Sequence, residues 1–440
     1  MRYLKRKNVI MLKSREKAKY SLKVKKRGKW FYSFILFKVF SGGMAPLVPI
    51  LIVNEGGTPT EIGYTSGLGS LASMIGGVIW GRLSDKLGRR KIFMSLGIFG
   101  STISVILMSV SLSIKSLIFL NILYMFFLAA TIPLPISIIS REFRKYEINE
   151  AIGKFNKLGG WGWVGGLILG FALINFANPR IAILGLGALG ILSGILTIKR
   201  IKEVPIHPSR FRVNGIIPSL FTFHPRKITL STPKLRDEIL RIVFISSFLF
   251  WIGSMLALTQ FPVLAKEKGL DGETLYFVSI SSSVTSALTY QRVANSIVGI
   301  GILNYVNGLI LRSLGLAGLL FVVPLPSKTF LLASILVYSI LGYSWAMISI
   351  STSSIISARS SENTRGRIFG SYNLVCSSGA IIGSLGSGYL ANNIGMQGDL
   401  AIGLSLMIPA IYVNSKILKK EVQPLNFGLF ERSRGKGLGL

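Results

Sequence analysis

Long uncharged apolar runs, separated by short polar segments, recur along the whole chain. The clearest pair flanks Gly81–Lys91: the run 62–80 precedes it and the run 92–112 follows it, and neither contains a charged residue. Each run is close to the length of about 20 residues that a helix needs to cross a bilayer core. Because backbone polar groups in lipid must be satisfied within the segment, these runs predict membrane-spanning helices.

The same pattern predicts an all-α membrane protein with twelve spans. They cover 30–52, 62–80, 92–112, 117–140, 158–176, 181–198, 240–263, 275–290, 297–323, 330–356, 368–391 and 400–417. The eighth is the weakest, because it is short and rich in serine. The predicted domains are a basic tail (1–29), an N-terminal six-helix bundle (30–198), a basic linker (199–239), a C-terminal six-helix bundle (240–417) and a second tail (418–440).

Composition and charge agree with this class and predict its orientation. Of 440 residues, 50% are hydrophobic and 15% are charged, against about 25% charged in an ordinary soluble protein. The predicted outside loops hold five Lys/Arg and six Asp/Glu, whereas the inside segments hold 43 and 11. This asymmetry predicts a multi-pass protein of the cell membrane with both termini in the cytoplasm. The basic tail is expected to lie on anionic lipid headgroups, and no nucleic-acid partner is expected.

Few residues suited to catalysis or metal binding fall within the spans. Cys376 is the single cysteine, His207 and His224 lie in the polar linker, and no Asp or Glu falls within any predicted span. We therefore expect no catalytic residue, no metal and no cofactor. Asp399 is assigned to an outside loop. No nucleotide-binding G-x-x-x-x-G-K-[ST] loop is present, so ATP coupling within the chain is not expected.

The two halves look duplicated. Gly153-Lys-Phe-Asn matches Gly370-Ser-Tyr-Asn at an offset of 217, and at the same offset Gly162 meets Gly379 and Gly166 meets Gly383. Parallel repeats of this kind occur in secondary transporters. Gly162, Gly166, Gly379 and Gly383 are also spaced to permit close helix packing.

The segment Gly81-x-Leu-Ser-Asp85-Lys-x-Gly88-Arg89-Arg90-Lys resembles the signature loop of the major facilitator superfamily, G-x-L-x-D-[RK]-x-G-[RK]-[RK]. It follows the second span on the predicted cytoplasmic side, where that family carries it. The resemblance implies two six-helix bundles around a central cavity that work by alternating access. It also implies that the loop latches onto the start of helix eleven, here Arg365-Gly366-Arg367.

Within the loop, Arg89 and Arg90 are expected to pair with Asp85 across the turn, and Gly88 to adopt a positive φ. Gly81, with Gly77 four residues earlier, offers a small face to a neighbouring helix. We hypothesise that Asp85 and Arg89 bias a gating equilibrium without touching solute; the alternative is a loop that only anchors topology.

Lys38 is the leading candidate for solute binding, because a cation at this depth costs about 2.5–3.5 kcal/mol on insertion scales. The alternative is that its stem carries the ammonium to the interface. The resemblance implies that helices one, four, seven and ten line the cavity. This adds, as further candidates for lining it, Asn121, Tyr124, Trp251, Gln260 and Tyr343. Arg312 is expected to mark a span boundary or an interfacial ion pair.

The sequence thus predicts a monomeric secondary active or facilitative transporter of a small solute, with an anionic or polar organic solute favoured. One alternative is a multidrug efflux antiporter of the same superfamily. The resemblance implies that this branch would carry an Arg in helix four and a G-x-x-x-G-P-x-x-G-G pattern in helix five. This alternative is disfavoured because span four has no Arg and span five has glycines but no Pro. The other is a non-transporting membrane sensor on a transporter scaffold. Substrate, direction and coupling ion stay open.

Overall fold

A computed structural model describes residues 30–143, 147–201, 237–296 and 301–414. These residues form helices, with no β-strand among them. In chain order the helices are α1 (Phe31–Asn54), α2 (Pro59–Leu87), α3 (Arg90–Val110), α4 (Ile114–Leu128), α5 (Pro133–Glu142), α6 (Ile148–Phe176), α7 (Pro179–Arg200), α8 (Glu238–Thr259), α9 (Phe261–Glu267), α10 (Glu273–Ser296), α11 (Gly301–Val322), α12 (Ser327–Ala358) and α13 (Glu362–Ser405).

Ten helical segments of the described residues are long and apolar enough to cross a membrane. The serine-rich α10, predicted as the eighth span, is a helix of 24 residues but is not among the ten. The last segment runs over Thr364–Asn414, where two spans were predicted, and its backbone is non-helical at Gly395, with φ of 77°. The membrane class is therefore shown, and the division into twelve spans stays a prediction.

Local sequence explains where several helices begin. At α2, the Thr58 amide donates to Glu61 Oε2 at 2.8 Å and Pro59 is the first helical residue, which is a capping box with proline at N1. At α8, Asp237 Oδ1 accepts from the amides of the second and third helical residues. Such caps satisfy amide groups that have no partner within the helix.

Two compact units make up the described chain. Unit 1 comprises the chain up to Gly56 and Ala72–Ser209; unit 2 comprises Gly57–Leu71 and the chain from Arg210. The first half of α2 is thus grouped with unit 2, whereas the predicted N-terminal bundle ran without interruption over 30–198. Both terminal tails and 202–236, which is most of the predicted linker, lie outside the described residues.

Unit 1 is built around α1, which packs against α6 and α7, while α3 packs against α4 and α7. Phe31, Phe34, Phe37 and Phe40 recur every third residue along α1, and each is at most 1% exposed. Phe155 of α6 packs between the first two, with ring centroids 5.4 and 5.0 Å away. This buried aromatic row fixes the orientation of α1 and so determines where Lys38 lies.

Unit 2 contains three main helix pairings: α8 runs along α13, and α12 packs against both α10 and α11. Its core is apolar and includes Phe250, Leu309 and Phe330. One of its buried polar groups, Tyr305, is bonded: its hydroxyl lies 2.8 and 2.9 Å from the hydroxyls of Ser246 and Ser247. Buried polar groups need such partners because an unmade hydrogen bond costs free energy.

Candidate transport site and gating elements

The loop between α2 and α3 is a tight turn closed by an ion pair. Gly88, between the two helices, has φ of 67°, a conformation that favours glycine. Arg90 Nη2 lies 2.7 Å from Asp85 Oδ1, and Arg90 Nη1 donates to the carbonyl oxygen of Ser137 at 2.8 Å. Arg90 is thus the residue that joins Asp85 to the body of unit 1, whereas Arg89 is exposed.

Gly81 and Gly77 do not support a close helix contact within the described residues. A Cβ added at either position would meet no atom of the described chain within 4 Å. The small packing face expected there meets no partner among the described residues and stays a prediction. The neighbouring Ser84 is buried and donates to the Gly81 carbonyl oxygen at 2.9 Å.

The start of α13 carries the residues expected to receive the loop. Arg365, Gly366 and Arg367 are all exposed. Arg365 Nη2 donates to the carbonyl oxygen of Ser357 at 3.2 Å, which ties α13 to the end of α12. These residues belong to unit 2 and Asp85 belongs to unit 1, so the latch stays a prediction.

Lys38 lies in a groove between α1 and α6 that two glycines open. A Cβ on Gly159 would lie 3.7 Å from Lys38 Cε, and one on Gly162 would lie 2.9 Å from Lys38 Cβ. The ammonium is 5.6 Å from the centroid of the Phe34 ring. No carboxylate of the described residues forms an ion pair with it. Lys38 is therefore a half-buried cation without a protein counter-charge in this part of the chain.

The other candidates in unit 1 are enclosed. Asn121 and Tyr124 are each 2% exposed, and the Tyr124 ring packs edge-on against Phe40 with centroids 6.2 Å apart. In this conformation their side chains do not line an open cavity. The structure therefore does not join them to Lys38 as one exposed site.

The candidates in unit 2 are dispersed. Trp251 is half-buried and packs edge-on against Trp345, with centroids 5.6 Å apart. Gln260 is 3% exposed and its side-chain amide donates to the Pro59 carbonyl oxygen at 3.0 Å. Tyr343 is 41% exposed. Gln260 therefore anchors the start of α2, which sequence reasoning did not anticipate.

Arg312 lies in the middle of α11 and forms no ion pair with a described residue, so the structure supports neither expectation for it. It is 8% exposed and lies 5.5 Å over the Phe250 ring. Its Nη1 donates to the Leu341 carbonyl oxygen at 3.1 Å, and its Nε lies 3.4 Å from Ser254 Oγ. Among the described residues no carboxylate pairs with it. A buried guanidinium thus connects α8, α11 and α12.

The four repeat-related glycines lie at close helix crossings. A Cβ on Gly166 would lie 2.1 Å from the Val39 carbonyl oxygen, and one on Gly162 would lie 3.1 Å from that of Ile35. In unit 2 a Cβ on Gly379 would lie 2.7 Å from the Phe248 carbonyl oxygen, and one on Gly383 would lie 2.5 Å from that of Ile252. The same kind of contact therefore joins α1 to α6 and α8 to α13.

Comparison with protein families identifies the family to which the chain belongs. The model of the Major Facilitator Superfamily matches residues 30–414. The chain belongs to the major facilitator superfamily. The resemblance carried by Gly81–Lys91 is thereby confirmed.

Relatives within the superfamily are distant and partial. An uncharacterized MFS-type transporter of Methanocaldococcus jannaschii is 26% identical over 183 residues, covering 41% of this chain and 47% of that protein. The multi-drug resistance efflux pump PmrA of Streptococcus pneumoniae is 29% identical over 178 residues, covering 40% of this chain and 44% of that one. The chain thus matches about half the length of either relative.

Solved structures support the superfamily fold over most of the chain. A crystal structure of a POT family transporter, in complex with a thioalcohol-conjugated peptide, superposes with a TM-score of 0.70 at 14% identity. It covers 91% of this chain and 96% of that one. At this identity the likeness establishes the fold and carries no information about the solute.

The structure buries Asp399, which the sequence assigned to an outside loop. The residue is 1% exposed and lies four residues after Gly395, within the segment Thr364–Asn414. Ser387 Oγ donates to its Oδ2 at 2.7 Å. The carboxylate of Asp399 is therefore buried close to the bend at Gly395. In the described part of the chain, no group of three or more His, Cys, Asp or Glu side chains is placed to hold a metal ion.

Proposed function

We propose that the protein carries a small solute across the cell membrane by alternating access, as a secondary active or facilitative transporter. The observation that carries this proposal is the superfamily match over 30–414, which spans both units. The functional unit is proposed to be a monomer, because each superfamily bundle pair encloses its own cavity.

The proposed architecture has twelve crossings in two six-helix bundles. A straight helix of 51 residues would span about 75 Å, more than twice the hydrocarbon thickness of about 30 Å, so the segment Thr364–Asn414 is proposed to cross twice with its bend at Gly395. The helix α10 supplies the remaining crossing. The excess of Lys and Arg on one side supports cytoplasmic termini.

The solute is proposed to be anionic or polar organic, with Lys38 as its binding cation. An ammonium at membrane depth without a counter-charge is costly unless an anion or water neutralises it. The two glycines of α6 accommodate the stem of Lys38, and Phe34 lies close enough to the ammonium for a cation–π contact. An organic anion would supply the missing charge.

The gating elements are proposed to lie at opposite ends of α2. At the cytoplasmic end, Asp85 would latch onto the start of α13, where the helix dipole favours a carboxylate. At the outer end, the first turns of α2 pack against α13: a Cβ on Gly63 would lie 2.9 Å from the Ser384 carbonyl oxygen, and one on Gly388 would lie 3.0 Å from that of Pro59. We propose that this outer contact is the one that opens when the cytoplasmic side closes.

A multidrug efflux pump is the second candidate, favoured by the match to PmrA. The two candidates differ in the charge of their solutes, since an uncompensated Lys38 disfavours lipophilic cations. A non-transporting sensor is the third candidate, and it would show no flux with any solute.

The test is uptake into vesicles containing the purified protein, against a panel of organic anions, sugars and lipophilic cations, with and without a pH gradient. Saturable uptake of an anion that Lys38→Met weakens would support the proposal. Uptake of lipophilic cations alone would favour the efflux pump. Flux equal to that of empty vesicles across the panel would favour the sensor.

A further inference from the structure

Asp399 has one carboxylate oxygen that nothing in the described chain satisfies. Ser387 Oγ donates to Oδ2, whereas the buried Oδ1 has no hydrogen-bond partner. The residue is 1% exposed. A buried carboxylate that stays ionised without a compensating partner is strongly unfavourable, because the interior solvates its charge poorly.

A second buried acceptor without a donor lies in the same region of unit 2. The amide nitrogen of Gln260 is bonded to the Pro59 carbonyl oxygen, but its Oε1 has no partner. Thr259, the preceding residue, lies 3.5 Å from Ser384 through their hydroxyl oxygens. Ser384 precedes Ser387 by one helical turn, so the two hydroxyls share a face of α13.

We call Thr259, Gln260, Ser384, Ser387 and Asp399 the Asp399 cluster. All five are at most 9% exposed. They come from the last residue of α8, from Gln260 directly after it, and from both sides of the Gly395 bend. The cluster adjoins the start of α2, because a Cβ on Gly388 would lie 3.0 Å from the same Pro59 oxygen that Gln260 binds.

No positive charge compensates Asp399 in the described residues. Near the cluster, the ionisable groups are Glu61 and Tyr64 of α2, Lys266 and Glu267 of α9, and Tyr389 of α13. Glu61 is engaged with Thr58, and the other four are exposed. The helix α11 also packs against α13 and carries Arg312, whose guanidinium is bonded to Ser254 and to the Leu341 carbonyl oxygen. None forms an ion pair with Asp399, and its carboxylate interacts only with Ser387.

We propose that Asp399 is a proton-binding residue, protonated while the start of α2 is packed over the cluster. A proton taken from water by Oδ1 converts the carboxylate to a neutral carboxylic acid and turns the unpartnered acceptor into a donor. One proton therefore removes the buried charge and adds a hydrogen-bond donor to a cluster in which Gln260 Oε1 also lacks one.

Sodium is the rival ligand, because the cluster offers only hydroxyl, amide and carboxylate oxygens. The proton is favoured for a geometric reason. The Ser387 hydroxyl already donates its hydrogen to Asp399, so protonation needs no rearrangement there, whereas a metal ion would compete with that hydrogen for Oδ2. Sodium is therefore an outcome that the test must separate.

The consequence for transport rests on the proposed function. If the outer contact of α2 opens, water reaches the cluster and Asp399 ionises. A group that is protonated in the closed form and ionised in the open form makes acid favour closure, because protons bind the closed form more tightly. Lower outside pH would then stabilise the packed start of α2.

The decisive experiment is infrared spectroscopy of the purified, reconstituted protein, which resolves the carbonyl stretch of a protonated carboxyl group. We expect wild type at neutral pH to show a band that Asp399→Asn loses completely and that Asp271→Asn, at an exposed aspartate, keeps. Should Asp399→Asn fail to fold, Ser387→Ala provides the second variant, since it removes the hydrogen bond to Oδ2 and should shift the band. A wild-type spectrum without this band, or a band that sodium abolishes, would overturn the proposal.

A second measurement addresses the link to gating. A thiol reporter, Leu385→Cys in a Cys376→Ser background, is labelled by a membrane-impermeant maleimide at several pH values. Leu385 contacts α2, because its side chain lies 2.6 Å from a Cβ added at Gly67. We expect the increase of labelling with pH to be steeper with Asp399 than with Asp399→Asn, and equal slopes would overturn the link. The infrared measurement does not require transport, so it tests protonation of Asp399 even if the proposed function fails.

Discussion

Arg90 holds Asp85 within the α2–α3 turn, with Nη2 and Oδ1 2.7 Å apart, while the same guanidinium binds the Ser137 carbonyl oxygen. The arginine side chain is 12% exposed and the aspartate side chain is 67% exposed. The carboxylate is therefore positioned by a largely buried arginine and still faces outward. Such a geometry suits a residue that makes a second, reversible contact.

Asp85→Asn should slow transport about two- to fivefold, the range that corresponds to the interaction of a carboxylate with a helix dipole. The amide has nearly the same shape but lacks the charge that both Arg90 and the start of α13 attract. The measurement is initial uptake per amount of inserted protein. Asp85→Glu, which keeps the charge, is the control, and an Asp85→Asn rate equal to wild type would refute the gating role.

Lys38→Met should weaken binding of an anionic solute about ten- to hundredfold, since hydrogen bonds to charged groups contribute about 1.5–3 kcal/mol. Methionine is unbranched and fits the groove beside Gly159, so insertion and folding should be preserved. The measurement is the concentration of solute that half-saturates uptake.

Lys154→Met is the matched control for that substitution. Its ammonium, on α6, lies 6.0 Å from the ring of Tyr32 on α1, so it too is a cation near an aromatic ring where α1 meets α6. If Lys38 binds solute, only the Lys38 variant changes the half-saturating concentration. Equal effects of the two variants would assign both lysines to the packing of α1 on α6.

Sequence reasoning succeeded where the signal is local and failed where it depends on packing. The apolar runs and the loop Gly81–Lys91 identified the membrane class and the family, because both are written in consecutive residues. The chain near Asp399 reads as a polar loop between two spans. Its burial results from the bend at Gly395 and the contact with Ser387, and neither is visible in the local pattern.

The outcomes for Arg312, Gly81 and Gly166 have the same origin. Arg312 looked like a boundary residue because sequence cannot show that Phe250 and the Leu341 carbonyl oxygen surround it. The sequence likewise did not distinguish the surroundings of Gly81 from those of Gly166. Of the two, only Gly166 lies against a neighbouring backbone, which an added Cβ would meet. Glycine spacing predicts where close packing is permitted, and the partner helix decides where it occurs.

Gly166→Ala should destabilise unit 1 by about 1–3 kcal/mol, the usual cost of overpacking. Its new Cβ would lie 2.1 Å from the Val39 carbonyl oxygen, so α1 and α6 must separate. The measurement is thermal unfolding in detergent. Gly165→Ala is the control, since a Cβ there meets no described atom within 4 Å, and equal midpoints for the two variants would contradict the close crossing.

Gly388→Ala should favour the conformation in which the start of α2 has left α13. An added Cβ would lie 2.9 Å from Thr60 Cα and 3.0 Å from the Pro59 carbonyl oxygen, which are backbone atoms that cannot rotate away. The variant therefore disfavours only the packed form of this contact. The same overpacking cost of about 1–3 kcal/mol corresponds to a shift of about five- to hundredfold in the equilibrium.

The shift is measured as the labelling rate of Leu385→Cys, in the Cys376→Ser background, by an impermeant maleimide added from outside. Gly386→Ala is the matched control, because a Cβ there would lie 3.4 Å from the Leu256 side chain, an ordinary contact distance. Faster labelling in the Gly388 variant alone would support an outer gate formed by α2 and α13. Unchanged labelling together with a lowered unfolding midpoint would show that the contact is a fixed part of unit 2. The reason is that steric strain at a moving contact is relieved when the contact opens, whereas strain at a fixed contact is relieved only by unfolding.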